Sequence, residues 1–375
     1  MSVTFDAWLA RAAQTRRIAG LQRTLVPRGS ADDLVDLAGN DYLGLVRHPR
    51  VVAAAADAAK RWGAGAGASR LVTGTLGVHE ELESALAAWT GAPAALVHST
   101  GYHANLAAVT ALTDADTLVV SDAHIHASLV DACRLSRARV VVTPHGDVAA
   151  VDHALRERPE PRALVLTESV FSVLGDRAPL VELADACARH DAVLLVDEAH
   201  GLGVAGDGGR GLVHAAGLAA RPDVVVTVTL SKSLGSQGGA VLGSDAVIDH
   251  LVNRARPFIY DTGLAPAAAA AAREALDVVA DEPELVARVN HNAADLAEAA
   301  CVAQPAGAVL SVAFGGPDTA LAAQAACAAE GLRVGCFRPP SVPDGISRLR
   351  ITASARLDEH DVEHACKVLH DVTRP

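Results

Sequence analysis

The sequence is short of aromatics and of lysine. Only 3% of its 375 residues are Phe, Trp or Tyr, although half of them are apolar. The apolar bulk is therefore Ala, Val and Leu, which suits Ala-rich helices packed on Val/Leu strands and excludes a disordered or collagen-like chain. Long unbroken apolar runs are missing too. The uncharged stretches 91–113 and 299–317 are interrupted by Gly, Pro, His or Gln, so neither reads as a membrane span of about 20 apolar residues. The early stretch holding Asp6 and the arginines from Arg11 to Arg23 has no signal-peptide apolar core. Positive charge is not in excess: 32 basic residues face 44 acidic ones, a net charge of −12, which argues against a general nucleic-acid or membrane-surface binder. The cysteines (133, 187, 301, 327, 336 and 366) form no C-x-x-C pair. Reduced thiols and a cytoplasmic location are expected.

What is present is an alternation. The length exceeds the roughly 250–300 residues at which single cores stop growing, so two lobes are expected. A helix is predicted over the first 25 residues from the spacing of Trp8, Leu9, Ala12, Ala13 and Ile18. Val/Leu-rich strands are predicted at 94–98, 117–121, 139–143, 163–167, 192–197 and 223–229, mostly with helical patterns between them. Such runs indicate a mainly parallel sheet covered on both faces. The pattern then shifts near Asp281 to a long helix, a strand at 308–314, a helix, further strands ending at 348–353 and an amphipathic helix at 358–369. The fold class is thus α/β, with an N-terminal segment over 1–45, a large domain over 46–280 and a smaller C-terminal α+β domain over 281–375.

In an open α/β sheet, ligands gather beyond the carboxyl ends of the strands. One lysine stands there. The chain has only Lys60, Lys232 and Lys367; Lys60 lies among helical alanines and Lys367 on the terminal amphipathic helix, which leaves Lys232, after the strand at 223–229 and before a flexible Gly/Ser stretch. A loop ion pair would explain it. So would a Schiff-base lysine, which needs desolvation or a neighbouring cation to become nucleophilic. Asp197 ends the most apolar strand, where a carboxylate is costly unless it meets a cation or several donors. The protonated ring nitrogen of pyridoxal 5′-phosphate is such a cation. His200 follows three residues later. Gly101 and Tyr102 open a helix directly after a strand, where free N–H groups favour a phosphate, and Thr229 could add a hydroxyl. His126 begins another helix, where its ring could stack on the cofactor. Decoys fall away: D-E-A-H at 197–200 has no accompanying phosphate loop, G-L-G-V-A-G at 201–206 does not open a helix after a strand, and His124 and His126 lack the further ligands of a metal set.

Together these motifs resemble the α-oxoamine synthases, pyridoxal-phosphate enzymes of the aspartate-aminotransferase-like fold type I. The resemblance rests on N-D-Y-L-G-L at Asn40, A-S-R-L-V-T-G at Ala68, H-E-E-L-E at His79, S-T-G-Y at Ser99 and H-A-S-L at His126. It continues through E-S-V-F-S at Glu168, D-E-A-H-G at Asp197, T-L-S-K at Thr229, R-P-P-S-V-P at Arg338 and S-R-L-R-I-T at Ser347. It implies Lys232, Asp197, His200 and His126 as the chemical centre: the cofactor-bound lysine, the partner of the ring nitrogen, a contact to the ring hydroxyl and a ring stacked on the cofactor. It places Gly101, Tyr102, Ser172 and Thr229 around the cofactor, with Thr262 reaching the phosphate of a partner subunit. Arg350 would hold the amino-acid carboxylate, and Asn40, Ser341 and Arg23 would line the substrate site. The implied reaction is a decarboxylative condensation of L-alanine with a pimeloyl thioester, carried on coenzyme A or an acyl carrier protein, in a homodimer with no metal. The rivals are a relative that joins glycine to acetyl-CoA, a pyridoxal-phosphate lyase or aldolase, and a non-enzymatic binding protein. Val173 and Leu174 stand where the family commonly has Met-Asp.

Overall fold

The computed structural model of the chain describes residues 4–19, 21–29, 33–339, 341–342 and 344–373, which fall into two units divided after Leu34. The first holds one helix, Phe5–Ile18, whose N-cap Thr4 accepts from the Ala7 amide and whose residues are all at least partly exposed. It stops well short of residue 25, because the continuation expected from the periodicity runs into Gly20, a weak helix former.

The second unit carries two sheets. The larger has seven strands: β2 (Ala94–His98), β3 (Thr117–Asp122), β4 (Arg139–Thr143), β5 (Arg162–Glu168), β6 (Val193–Asp197), β7 (Val224–Thr229) and β8 (Gly239–Gly243). Their order is β2-β8-β7-β6-β5-β3-β4, with β8 antiparallel to both neighbours and every other pair parallel. Alternate side chains feed two apolar clusters: Leu194 and Val196 enter one, Leu195 the other. Burial on both faces is what made the central strands β3, β5, β6 and β7 legible as continuous apolar runs. β8 was not legible. Its G-A-V-L-G is too short and glycine-rich to signal a strand, yet glycine is needed there, since a Cβ at Gly239 would come within 2.5 Å of the Gly101 Cα.

The smaller sheet joins β1 (Val35–Leu37), β10 (Leu332–Phe337), β11 (Arg348–Thr352) and β9 (Val309–Ala313) in that order. β1 pairs in parallel with β10, so residues 35–37 of the predicted N-terminal segment complete a sheet otherwise built from the C-terminal region. The following turn is pinned to the same region. Gly39 O accepts from Thr352 Oγ1 at 2.7 Å, Asp41 O from Ser354 Oγ at 2.8 Å, and Tyr42 O from Ala355 N at 2.7 Å. These contacts hold Asn40 and Tyr42 beside β11. Pro340 and Pro343 of the R-P-P-S-V-P motif lie outside the described residues.

Candidate active site

The carboxyl ends of β5, β6 and β7 converge on a cavity of about 270 Å³ lined by Gly101, Glu168, Asp197, His200, Thr229 and Lys232, among others. A second cavity of about 660 Å³ adjoins it, since His126, His200 and Lys232 line both. Asn40, Ser172, Phe337, Ser341 and Arg350 line only the larger one. The structure thus brings together every site residue expected from the sequence except two. Thr262 lines neither cavity and pairs through its backbone with Ser69. Arg23 belongs to the first unit.

Lys232 begins a hydrogen-bonded relay. Its Nζ lies 2.9 Å from His200 Nε2, and His200 Nδ1 lies 2.7 Å from the Tyr42 hydroxyl. Tyr42 donates to Asn40 Oδ1 at 3.0 Å, and the same oxygen accepts from both terminal nitrogens of Arg350 at 3.3 Å. The directions follow from the donor inventory. Tyr42 uses its proton on Asn40, so His200 must donate from Nδ1, leaving Nε2 to accept from Lys232. Burial, followed by the charges of Lys232 and Arg350, holds His200 well below the ordinary imidazole range, which keeps it in this neutral form. Burial also pushes Lys232 down to about 8, against the attraction of Asp197 and Glu168, with Arg350 adding to the fall. A lysine near 8 supplies free amine at neutral pH, which a surface lysine does not.

Asp197 ends β6 and is buried. Its Oδ2 accepts from Asn105 Nδ2 at 2.7 Å and its Oδ1 from the Ala199 amide at 2.9 Å. Asn105 is fixed in turn, its Oδ1 accepting from Thr227 Oγ1 at 2.6 Å. Sequence reading passed over Asn105, although a lone amide four residues after Gly101 in a helix of Ala, Leu and Val was a usable signal. It quoted Tyr42 and Glu168 within motifs but gave neither a role. Glu168 is registered opposite Asp197 and buried; burial first, then the charge of Asp197, raises it well above the carboxylate range. Its Oε2 accepts from Ser172 N at 2.9 Å, while its Oε1 is buried with no hydrogen-bond partner among the described residues.

The residues present fit pyridoxal phosphate. Helix Gly101–Leu112 starts at the cavity, capped by Thr100, and its first amides have no acceptor within the helix. A Cβ at Gly101 would sit 3.0 Å from Thr229 Cβ, so a larger residue would have to displace this helix end or Thr229 by a few tenths of an ångström. Thr229 Oγ1 and Ser231 Oγ lie 2.8 Å apart beside it, two hydroxyls at an anion-favouring helix start. Tyr102 is partly exposed and donates to Asp131. His126 caps helix Ala127–Leu135, its Nδ1 bonded to Ser128, which leaves the ring at the junction of the two cavities.

Arg350 projects from the middle of β11 into the larger cavity. Its Nε donates to Ser172 O at 2.7 Å, and Phe337 lies under the guanidinium at 5.6 Å. Among the described residues its outer fork has only long contacts, to Asn40 at 3.3 Å and to the Tyr42 hydroxyl at 3.5 Å. Arg348, two residues away, has its fork filled: NH1 and NH2 meet Asp344 at 2.8 and 2.7 Å, a pairing that holds Asp344 down at about 2. Arg350→Lys is therefore expected to raise the Michaelis constant for alanine about 10–150-fold, the range of roughly 1.5–3 kcal/mol for hydrogen bonds to charged groups. Arg348→Lys should change it little. Steady-state kinetics on both variants check this, and the reverse ranking overturns the choice of arginine.

This fold and site are those of a pyridoxal-phosphate enzyme of fold type I: the chain matches the family of class I and II aminotransferases over residues 32–369 and belongs to it. An 8-amino-7-oxononanoate synthase from Mycobacterium sp. (strain JLS) is 61% identical over 367 residues, 98% of this chain and 96% of that protein. Among solved structures, serine palmitoyltransferase from S. paucimobilis with bound PLP and myriocin superposes with a TM-score of 0.90 at 30% identity, over 97% of this chain and 96% of that one. The 8-amino-7-oxononanoate synthase of Francisella tularensis shares the fold, with a TM-score of 0.78 at 24% identity over 91% of this chain and 98% of that one.

Proposed function

We propose that this chain catalyses the decarboxylative condensation of L-alanine with a pimeloyl thioester, giving 8-amino-7-oxononanoate, CO2 and a free thiol, a step of biotin synthesis. The observation that carries the reading is the 61% identity, across 98% of the chain, to a protein named for that product. Pyridoxal 5′-phosphate, when bound, supplies the electron sink for the carbanion at the amino acid's Cα. The small cavity would hold it: Asp197 would pair with its ring nitrogen, His200 would contact its ring hydroxyl, His126 would stack on the ring with Ser172 nearby, and Gly101, Tyr102, Thr229 and Ser231 would receive the phosphate, with Thr262 serving the partner subunit's site in a homodimer.

The chain's own groups then divide the work. Arg350 grips the alanine carboxylate and, with Asn40, fixes which bond at Cα stands across the ring. Lys232 Nζ, freed from the cofactor, takes the Cα proton; a pKa of about 8 lets it act as a base at neutral pH. The His200–Tyr42–Asn40 relay keeps the lysine and the carboxylate grip in fixed relation. The larger cavity, with Ser341 at its wall, admits the acyl chain. The carbanion attacks the thioester carbonyl, the C–S bond breaks and the thiol leaves. Loss of CO2 and return of a proton to Cα complete the balance. The acyl carrier is coenzyme A or a carrier protein, and the enzyme works in the cytoplasm; among the described residues no helix is long and apolar enough to cross a membrane.

A thiol-release assay crossing alanine, glycine and serine with pimeloyl, acetyl and palmitoyl thioesters tests the reading. Turnover is expected with alanine and the pimeloyl thioester. Preference for glycine with acetyl-CoA, or amino-acid cleavage without any thioester, overturns it.

A further inference from the structure

His145 lies in the turn after β4, outside both cavities, and took no part in the sequence argument. Its ring is held on every side. Nδ1 is 3.0 Å from Asp122 Oδ1 at the end of β3, and Nε2 is 2.8 Å from Asp176 Oδ2 in the loop beyond β5. One face stacks on His124, with centroids 4.1 Å apart and planes 16° from parallel, and the ring also meets Phe171 edge-on at 4.3 Å. A neutral imidazole carries one N–H, yet here both nitrogens face carboxylates. The ring must be an imidazolium. Consistent with this, bonding to Asp122 and then Asp176 raises His145 to about 10, while burial, followed by the charge on His145, pushes His124 down. Asp344 is the other charged group near His124.

The two carboxylates line neither cavity, but each fixes a segment of the larger cavity's wall. Asp122 accepts from the His124 amide at 2.7 Å and so shapes the 123–126 wall that ends in His126. Asp176 O accepts from Phe171 N at 2.9 Å, closing the 171–176 loop that presents Ser172 and Val173 to the cavity and Ser172 O to Arg350. We propose that the His145 imidazolium is a positioning residue that ties these two wall segments together and sets the opening through which the acyl thioester reaches the reacting carbon. This rests on the proposed condensation.

His145→Asn is expected to raise the Michaelis constant for the pimeloyl thioester about tenfold, a lower-range value for a charged hydrogen bond. Its kcat should change less than about threefold, and pyridoxal phosphate should bind the apoprotein with unaltered affinity by fluorescence titration. Asp176→Asn, at a half-exposed position, should give a smaller rise of the same kind, and the double variant no more than His145→Asn alone. Nitrogen-15 NMR of the wild type at pH 8 should show both His145 ring nitrogens protonated. A neutral ring at that pH overturns the proposal, as does a thioester Michaelis constant that neither variant moves. If the wild type turns over no pimeloyl thioester while the ring is doubly protonated, the functional reading fails and the charged clamp stands.

Discussion

Lys232→Ala is expected to abolish condensation, and Lys232→Arg to abolish it equally. Positioned proton transfer alone is worth on the order of 10²–10⁴-fold, and this side chain supplies the covalent anchor as well. Alanine removes both. Arginine keeps the cation beside Asp197 and Glu168 but stays protonated above pH 12, so it separates charge from basicity: the wild-type lysine is brought down to about 8 by burial. Neither rival lysine shares that setting. Lys60 is exposed and paired with Asp57 at 3.0 Å, and Lys367 is exposed on the C-terminal helix. Borohydride reduction of the holoenzyme followed by peptide mapping should therefore place the pyridoxyl group on Lys232. A label on Lys60 or Lys367, or measurable turnover by the arginine variant, contradicts the assignment.

The parts of this site that were legible beforehand are those whose residue type conflicts with their local surroundings. A carboxylate at the end of the apolar run 193–197 and a lysine in a chain nearly free of lysine each demand an explanation from sequence alone. So does Gly101, opening a helix directly after a strand. What escaped was whatever depends on a partner far along the chain. Tyr42 reads as one more residue of a turn until β1 and β11 carry it to His200, 158 positions away. Asn105 reads as a helix residue until Asp197 and Thr227 close on it. Glu198 reads as part of a decoy motif, whereas its buried carboxyl accepts from Ser169 Oγ and Val213 N at 2.6 Å and so fixes the glycine-rich loop behind the site. β8 escaped for a related reason, since its glycines answer to the helix end packed against them and not to any strand periodicity. Local patterning revealed the chemistry, and tertiary contacts supplied its support.

Asp197→Asn should retain the fold and lose on the order of 10²–10³-fold in turnover, the scale seen when one preorganised electrostatic partner is removed. The fold survives because the amide is neutral and isosteric, and burying it without a cation costs less than burying an unpaired charge. The hydrogen bonding, however, cannot be kept whole. Oδ2 now accepts from Asn105 Nδ2 and Oδ1 from the Ala199 amide, so both oxygens face donors and an introduced NH2 must oppose one of them. Asn105 can turn over, because the Thr227 hydroxyl to which its oxygen is bonded can accept as well as donate. That adjustment spares the fold and displaces the acceptor aimed at the cofactor. The neutral amide also cannot hold a proton on the ring nitrogen, so the carbanion at the amino acid's Cα is stabilised less. Cofactor affinity should fall along with turnover, which equilibrium titration of the apoprotein measures independently of activity. The melting temperature of the apoprotein should stay within a few degrees of the wild type. Near-normal kcat in Asp197→Asn with cofactor fully bound would show that another group holds the ring nitrogen, and Glu168, opposite Asp197 in the sheet with a buried oxygen that has no hydrogen-bond partner among the described residues, would be the first to test.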